Sequence, residues 1–584
     1  MELRSWLMAL AANVLHANLL ATACSAASIR PRVSVQQTSG LCETTPGVKS
    51  YSGHVTLSPT TNFPYEQNLF FWFFESRQDP KNDPLVLWIN GGPGSPSIDQ
   101  ASSLLSLPSR FFSPVQTGFS YDTATSGSID LLTGNIFPDG VDAPEESILF
   151  DGTFSSQDPS RTLNTTQNAA RVMWDFMQAW QAEKTFKEYR RESVHLWAQS
   201  YGGHWAPAIA SHFNTKSARL ASPDPAPPSD RLRPSPRPIR VATVGMIAPF
   251  VDVLIQNSAL TYAYNNTYDM EIFDKDTVDG IMAQFNAEGG CRDLAESCRA
   301  IVAAQDPDGW GNAPAAWELC AFAFQTCYAL TEVPYASRGR DPFDIAQSAA
   351  EQFPPPFAFG FLNREDVQSQ LGAVVNYTSY SNVVGTSPNF FITGDFLASF
   401  VPTIESLLSD DIPVTLVYGD RDWRSNWFGG EDLSLALSHP GASAFAAAGY
   451  ADLLVGNNDS DGARGYTRQH GRFSFTVLRQ AGHEAPYYQP DAAYAIFQRD
   501  LDGVDIATGL TPVAPGSGGY STSGPSDVRG IKMSPPPNPR PIFCYVAAQP
   551  LAAGSCSGEQ IAALRNGSAV VEDFIVVSPP WTHP

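Results

Sequence analysis

Four short apolar runs set the architecture of this chain: "PLVLWIN" (Pro84–Asn90), "SVHLWAQ" (Ser193–Gln199), "PVTLVYG" (Pro413–Gly419) and "FSFTVLRQ" (Phe473–Gln480). Each has the length of a strand, and long segments between them carry helical spacing, as over Thr166–Tyr189. Strands alternating with helices bury their apolar faces as a sheet flanked by helices, so the pattern predicts an α/β fold with a mixed central sheet. From about 256 to 400 the strand rhythm gives way to helices and a cysteine cluster, read as a helical cap inserted into the sheet domain. Residues 221–240 are a proline-rich surface loop. After Gly509 the composition turns to Gly, Ser and Pro, which divides the chain into an α/β domain over 28–510 and a linker with a short cysteine-bearing extension over 511–584.

The first residues show one arginine, an apolar stretch and small residues ending near Ala27, the layout of a secretory signal over 1–27. A mature chain without that segment is expected to be soluble and exported, to the outside or to a vacuole or other lytic compartment, with no membrane association. Cysteine usage agrees: Cys291, Cys298, Cys320 and Cys327 lie close together, Cys544 and Cys556 form a late pair, and the cap cysteines read as disulfides rather than a metal site. Cys42 is left over. Asn-x-Ser/Thr triplets at Asn164, Asn265, Asn376, Asn458 and Asn566 are candidate glycosylation sites of an exported protein. The formal charge of -23 and pI near 4.7 argue against nucleic acid as a partner. No phosphate loop, His-Glu-x-x-His or paired Cys-x-x-Cys occurs, so neither metal nor cofactor is implied.

In "LWAQSYGGHWAP" (Leu196–Pro207), Ser200 ends an apolar run and is followed by two glycines. A sharp strand-to-helix elbow needs small residues two before and two after its serine, and Ala198 and Gly202 supply them. A hydroxyl at its free pKa is a poor nucleophile and needs a base held by a third group. Downstream, one strand end offers Asp420 and Asp422 and the next offers His483, in the chain order Ser, Asp, His. Upstream, "VLWINGGPGS" supplies glycines whose N–H groups can face an oxyanion. His54 and His204 read as packing residues, and "LFFWFF" (Leu69–Phe74) as strand core.

Together with "CETTPGVKSYSGHV", "PVQTGFSYD", "YNNTYDM", "GGCRDLAESCR", "YGDRDW", "RQHGRFSF" and "AGHEAPYYQP", these stretches resemble the serine carboxypeptidase family, most closely its fungal acid members, from Cys42 to Gly509. The resemblance implies an α/β-hydrolase fold and removal of C-terminal amino acids from peptides and proteins. It makes Ser200 the nucleophile, His483 the general base and acid, and Asp422 the residue orienting His483, with Asp420 structural. It assigns the oxyanion hole to the N–H groups of Gly92 and Tyr201, and the substrate carboxylate to Asn90 and Gly91. An acyltransferase using the same triad is the alternative chemistry.

Three positions depart from the family pattern. Gln199 replaces the usual glutamate beside the nucleophile, in a substrate-binding position, and Ser425 replaces a frequent cysteine. Between Ser97 and Pro114 the family carries a longer segment with a buried core strand, whereas here "IDQASSLLSLPSRFFS" intervenes. That break implies a lost central strand, and hence an inactive relative or a mis-spliced product as a further alternative. Glu484, directly after the base, falls by resemblance on the wall of the pocket for the released residue, where a carboxylate favours Lys or Arg.

Overall fold

The structure is a computed structural model that describes residues 31–38, 40–98, 109–112, 114–222, 236–351, 353–385, 388–456, 462–513, 519–536 and 542–581. The expected signal over 1–27 and Asn458 lie outside the described residues. The N-terminal third contributes β1 (Arg32–Val33), β2 (Gln36–Thr38), β3 (Ser50–Leu57), β4 (Gln67–Phe74), β5 (Val86–Ile89) and β6 (Ser109–Phe112). β4 is buried along its whole length, as its aromatic run requires. A separate three-stranded sheet follows, β7 (Ala124–Asp130), β8 (Ile136–Pro138) and β9 (Leu149–Ser155). The main sheet resumes with β10 (Ser193–Gln199) and β11 (Arg240–Ile247). The cap intervenes with a small hairpin, β12 (Arg340–Asp341) and β13 (Asp344–Ser348). Then come β14 (Val414–Gly419), β15 (Ala451–Leu453), β16 (Gly465–His470) and β17 (Phe473–Leu478).

The main sheet has twelve strands in the order β1-β3-β4-β6-β5-β10-β11-β14-β17-β16-β15, with β2 beside β3. From β6 through β17 every neighbouring pair is parallel. The C-terminal ends of β5, β10, β14 and β17 therefore open on one edge, where a parallel sheet presents its site. Asp500, on the helix Pro490–Asp502, locks β10, β11 and β14 together. It accepts hydrogen bonds from Trp197 Nε1 at 3.2 Å, Thr243 Oγ1 at 2.9 Å and Thr415 Oγ1 at 2.8 Å.

One expectation is corrected here. The intervening segment after Ser97 does not leave the sheet open: β6 pairs antiparallel with β4 through Phe71–Phe112 and parallel with β5 through Val86–Ser109. Four residues suffice because β5 is itself only four residues long, so the strand position is filled by shorter sequence.

Between β11 and β14 the cap holds the helices Lys275–Phe285, Cys291–Gln305 and Pro314–Ala336, stapled by Cys291–Cys327 and Cys298–Cys320. Cys42 is free. The extension is more than a linker and tail. Residues 519–536 strap the sheet edge, with Thr522 N bonded to Gln469 O and Tyr450 N to Pro525 O. Residues 542–581, closed by Cys544–Cys556, bury Cys544, Val546 and Val576 against Ile129 and Phe154 of the three-stranded sheet. Its composition masks this, because Gly, Ser and Pro also build ordered straps whose hydrogen bonds go to neighbouring strands. No helix among the described residues is long and apolar enough to cross a membrane.

Candidate active site

Ser200 follows the last residue of β10 and adopts φ 59°, the left-handed region that costs a non-glycine residue about 1–2 kcal/mol. Backbone bonds hold the strain: Ser200 N donates to Ile247 O, and Ser200 O accepts from Gly203 N and Phe250 N, all at 2.9 Å. The small neighbours are needed. A Cβ at Gly202 would come within 2.6 Å of the Ala198 Cβ, and one at Gly203 within 2.3 Å of the Phe250 carbonyl oxygen.

Asp422 and His483 leave adjacent parallel strands, β14 and β17. His483 Nδ1 lies 2.6 Å from Asp422 Oδ2, and Ser425 N donates to the other oxygen of Asp422 at 3.1 Å. Both side chains are buried. With Nδ1 on Asp422, Nε2 is the nitrogen left to act as the base, and His483 and Ser200 both line a cavity of about 390 Å³. Burial pushes the His483 imidazolium down, but the charge and hydrogen bond of Asp422, helped by Glu484, outweigh it and hold the ring above its ordinary value. Asp420 points elsewhere. It accepts from Tyr268 Oη at 2.9 Å and from Ala481 N at 3.3 Å, joining the two triad loops, and burial pushes its carboxyl up to about 7.

The cap hairpin grips both loops from above. Pro342 O accepts from Trp423 N and Arg424 N at 3.2 and 3.0 Å, Phe343 O accepts from His483 N at 2.8 Å, and Arg421 forms a buried ion pair with Asp344 at 2.9 Å. None of these cap contacts was evident in the sequence, since they join residues some 80 to 140 positions apart with no shared motif.

Gly92, at φ 111°, and Tyr201 both line the cavity. The glycine turn lies directly against the elbow: a Cβ on Gly91 would sit 2.4 Å from Tyr201 N and 2.7 Å from Ser200 Cβ. Tyr201 is anchored through its hydroxyl to Asp395 at 2.7 Å, and Asp395 also accepts from Thr166 N at 2.8 Å. Neither Asp395 nor Thr166 lies in a motif that marks it in the sequence.

Asn90 lines the cavity, but Gly91 does not, and Gly91 N donates to Asn90 Oδ1 at 2.9 Å. Gly91 thus contributes close packing, with its N–H already engaged. Gln199 is fully buried on the cavity wall, its Nε2 donating to His483 O at 3.0 Å. Glu484 also lines the cavity, and burial raises its carboxyl above the ordinary range. Arg424 and Glu332 complete the charged lining; Arg424 lies two residues after Asp422, and Glu332 lies on a cap helix without a motif.

Of the candidate glycosylation positions, Asn265 and Asn566 are exposed. Asn164 and Asn376 spend their side-chain amides internally, on Gly311 O at 3.4 Å and Asn363 Oδ1 at 3.0 Å.

A parallel-centred sheet with serine, aspartate and histidine at its C-terminal edge is the architecture of an α/β hydrolase. The chain belongs to the serine carboxypeptidase family, whose model matches residues 40–104 and 111–503; the interval between them falls in the break after Ser97. It is 36% identical over 577 residues to carboxypeptidase S1 homolog A of Arthroderma otae, covering 92% of this chain and 86% of that one. It is 29% identical over 477 residues to carboxypeptidase S1 of Penicillium janthinellum, covering 80% and 99%. Among solved structures it matches Kex1(ΔP), a prohormone-processing carboxypeptidase from Saccharomyces cerevisiae. That match has a TM-score of 0.53 and 16% identity, over 78% of this chain and 92% of that one, a likeness of fold. The protein is a serine carboxypeptidase, a hydrolase acting on peptide substrates.

Proposed function

We propose that this carboxypeptidase works through an acyl-enzyme on Ser200. The observation that carries the reading is the 2.6 Å contact of His483 Nδ1 with Asp422, beside a serine held at φ 59° on the same cavity. With Nδ1 committed to Asp422, His483 Nε2 takes the Ser200 proton as the oxygen adds to the last peptide carbonyl. Gly92 and Tyr201 N–H groups receive the oxyanion. His483 then protonates the departing amine, the C-terminal amino acid leaves, and water repeats the steps in reverse on the ester. Asn90 and Gln199 face the free carboxylate that makes the enzyme an exopeptidase. The three disulfides support an oxidising location, secreted or vacuolar.

Glu484 is assigned to the wall contacted by the released residue. Glu484→Met is expected to lower kcat/KM several-fold for C-terminal Arg relative to Leu, since a partly hydrated pair contributes about 1 kcal/mol. It also removes a negative charge that raises His483. The base then deprotonates at lower pH, and the acid limb of the kcat/KM profile moves down. An unmoved limb with unchanged Arg/Leu ratio would contradict this placement.

Gln199 bears on the pH response. Its amide donates to His483 O at every pH, whereas a glutamate facing the same carbonyl can do so only while protonated. Wild-type kcat/KM is therefore expected to hold toward neutral pH, and Gln199→Glu to introduce a decline as the new carboxyl ionises. Overlapping profiles, both falling above about pH 5, would show that this position does not set the response.

A further inference from the structure

The C-terminal strap ends against the two loops that carry the histidine and aspartate of the triad. Val528 is buried in the main core, and Arg529 pairs with Glu431 at 2.6 Å and with Asp432 at 2.5 Å. Beyond these anchors, Lys532 Nζ donates to Asn266 O at 2.8 Å and lies 2.9 Å from Asp269, and Met533 N donates to Thr267 O at 2.8 Å. Ser534 follows, directly before Pro535, a position whose backbone is biased to the extended region. Its carbonyl oxygen accepts from Gln480 Nε2 at 3.0 Å.

Gln480 is the point where strap and triad loops meet. Its Oε1 accepts from Arg421 Nη1 at 3.1 Å, and its N donates to Tyr268 Oη at 3.1 Å. The residue sits at φ 54°, a conformation that persists outside glycine only where the surroundings impose it. The amide cannot turn over, because a guanidinium only donates and a carbonyl oxygen only accepts. Arg421 directly precedes Asp422, and His483 lies three residues after Gln480. A displacement of Gln480 therefore reaches both members of the 2.6 Å His483–Asp422 contact. We propose that Gln480, held by the Ser534 carbonyl of the strap, is a positioning residue for the His483–Asp422 pair, so that the C-terminal extension takes part in catalysis without touching substrate. The inference rests on the reading of Ser200, Asp422 and His483 as the triad.

The test compares Gln480→Met, Lys532→Met and the double variant in the full chain, using an N-blocked dipeptide with C-terminal Leu. All rates are expressed per site titrated with a fluorophosphonate, so a misfolded fraction does not enter them. A misplaced base slows the chemistry and leaves peptide binding alone. Gln480→Met is expected to lower kcat about tenfold with KM within about twofold, and to slow phosphonylation of Ser200 by the same factor as kcat. Lys532→Met, which loosens the strap, should lower kcat about threefold alone and have no further effect beside Gln480→Met. A kcat for Gln480→Met within about twofold of wild type, or a loss carried by KM alone, would overturn the positioning role. A Lys532→Met effect that is absent, or equal in both backgrounds, would overturn the part given to the strap. Phosphonylation of wild type at a residue other than Ser200 would instead overturn the triad reading, and this inference with it.

Discussion

Ser200→Ala is expected to lower kcat for release of C-terminal amino acids about a million-fold, because a triad acts as a unit and loses nearly everything with its nucleophile. The backbone that holds the elbow is unaffected by the change: the bonds of Ser200 N to Ile247 O and of Ser200 O to Gly203 N and Phe250 N are main-chain. The variant should therefore fold and melt near the wild-type temperature, and peptide binding should survive, since the proposed substrate-binding residues Asn90, Gln199 and Glu484 remain on the cavity wall. Calorimetry beside single-turnover kinetics separates the two properties. Retention of more than about one part in a thousand of wild-type kcat, in a preparation free of wild-type enzyme, would mean that another group carries the acyl chain.

Asp422→Asn is expected to cost about ten-thousand-fold in kcat, for a reason the hydrogen bonds make specific. Ser425 N donates to Oδ1 and His483 Nδ1 to Oδ2, so both oxygens of Asp422 act as acceptors. In the asparagine variant, Ser425 retains the amide oxygen and the NH₂ group faces His483. The ring answers by placing its proton on Nε2, where it can no longer accept from Ser200. Loss of the negative charge also removes the main influence raising His483, so the imidazole becomes a weaker base. A loss below about a hundred-fold in folded protein would mean that Asp422 is not the residue orienting the base.

How far the sequence leads depends on the range of the interaction. β5, β10, β14 and β17 were readable because each is a compact apolar run, and the chain order of Ser200, Asp422 and His483 follows from the loops after them. The choice of Asp422 over Asp420 has a physical basis visible only in three dimensions: Asp420 turns toward Tyr268 and Ala481, Asp422 toward His483. β6 escaped notice because its four residues carry no family pattern and qualify as a strand only through partners on both sides. The clamp of Pro342 and Phe343 on the triad loops, the Asp395 anchor of Tyr201 and the Glu332–Arg424 pair are likewise long-range contacts without local periodicity. The ordered C-terminal strap was hidden by a composition that also suits linkers.

Acylation of Ser200 during peptide cleavage is tested by reacting the enzyme with a fluorophosphonate and mapping the adduct by mass spectrometry while following release of C-terminal amino acids. One phosphonyl group per chain on Ser200, formed in step with loss of activity and slowed by a peptide substrate, is the result the geometry predicts. An adduct on any other residue with Ser200 unmodified and activity lost, or full activity after stoichiometric labelling of Ser200, would contradict it.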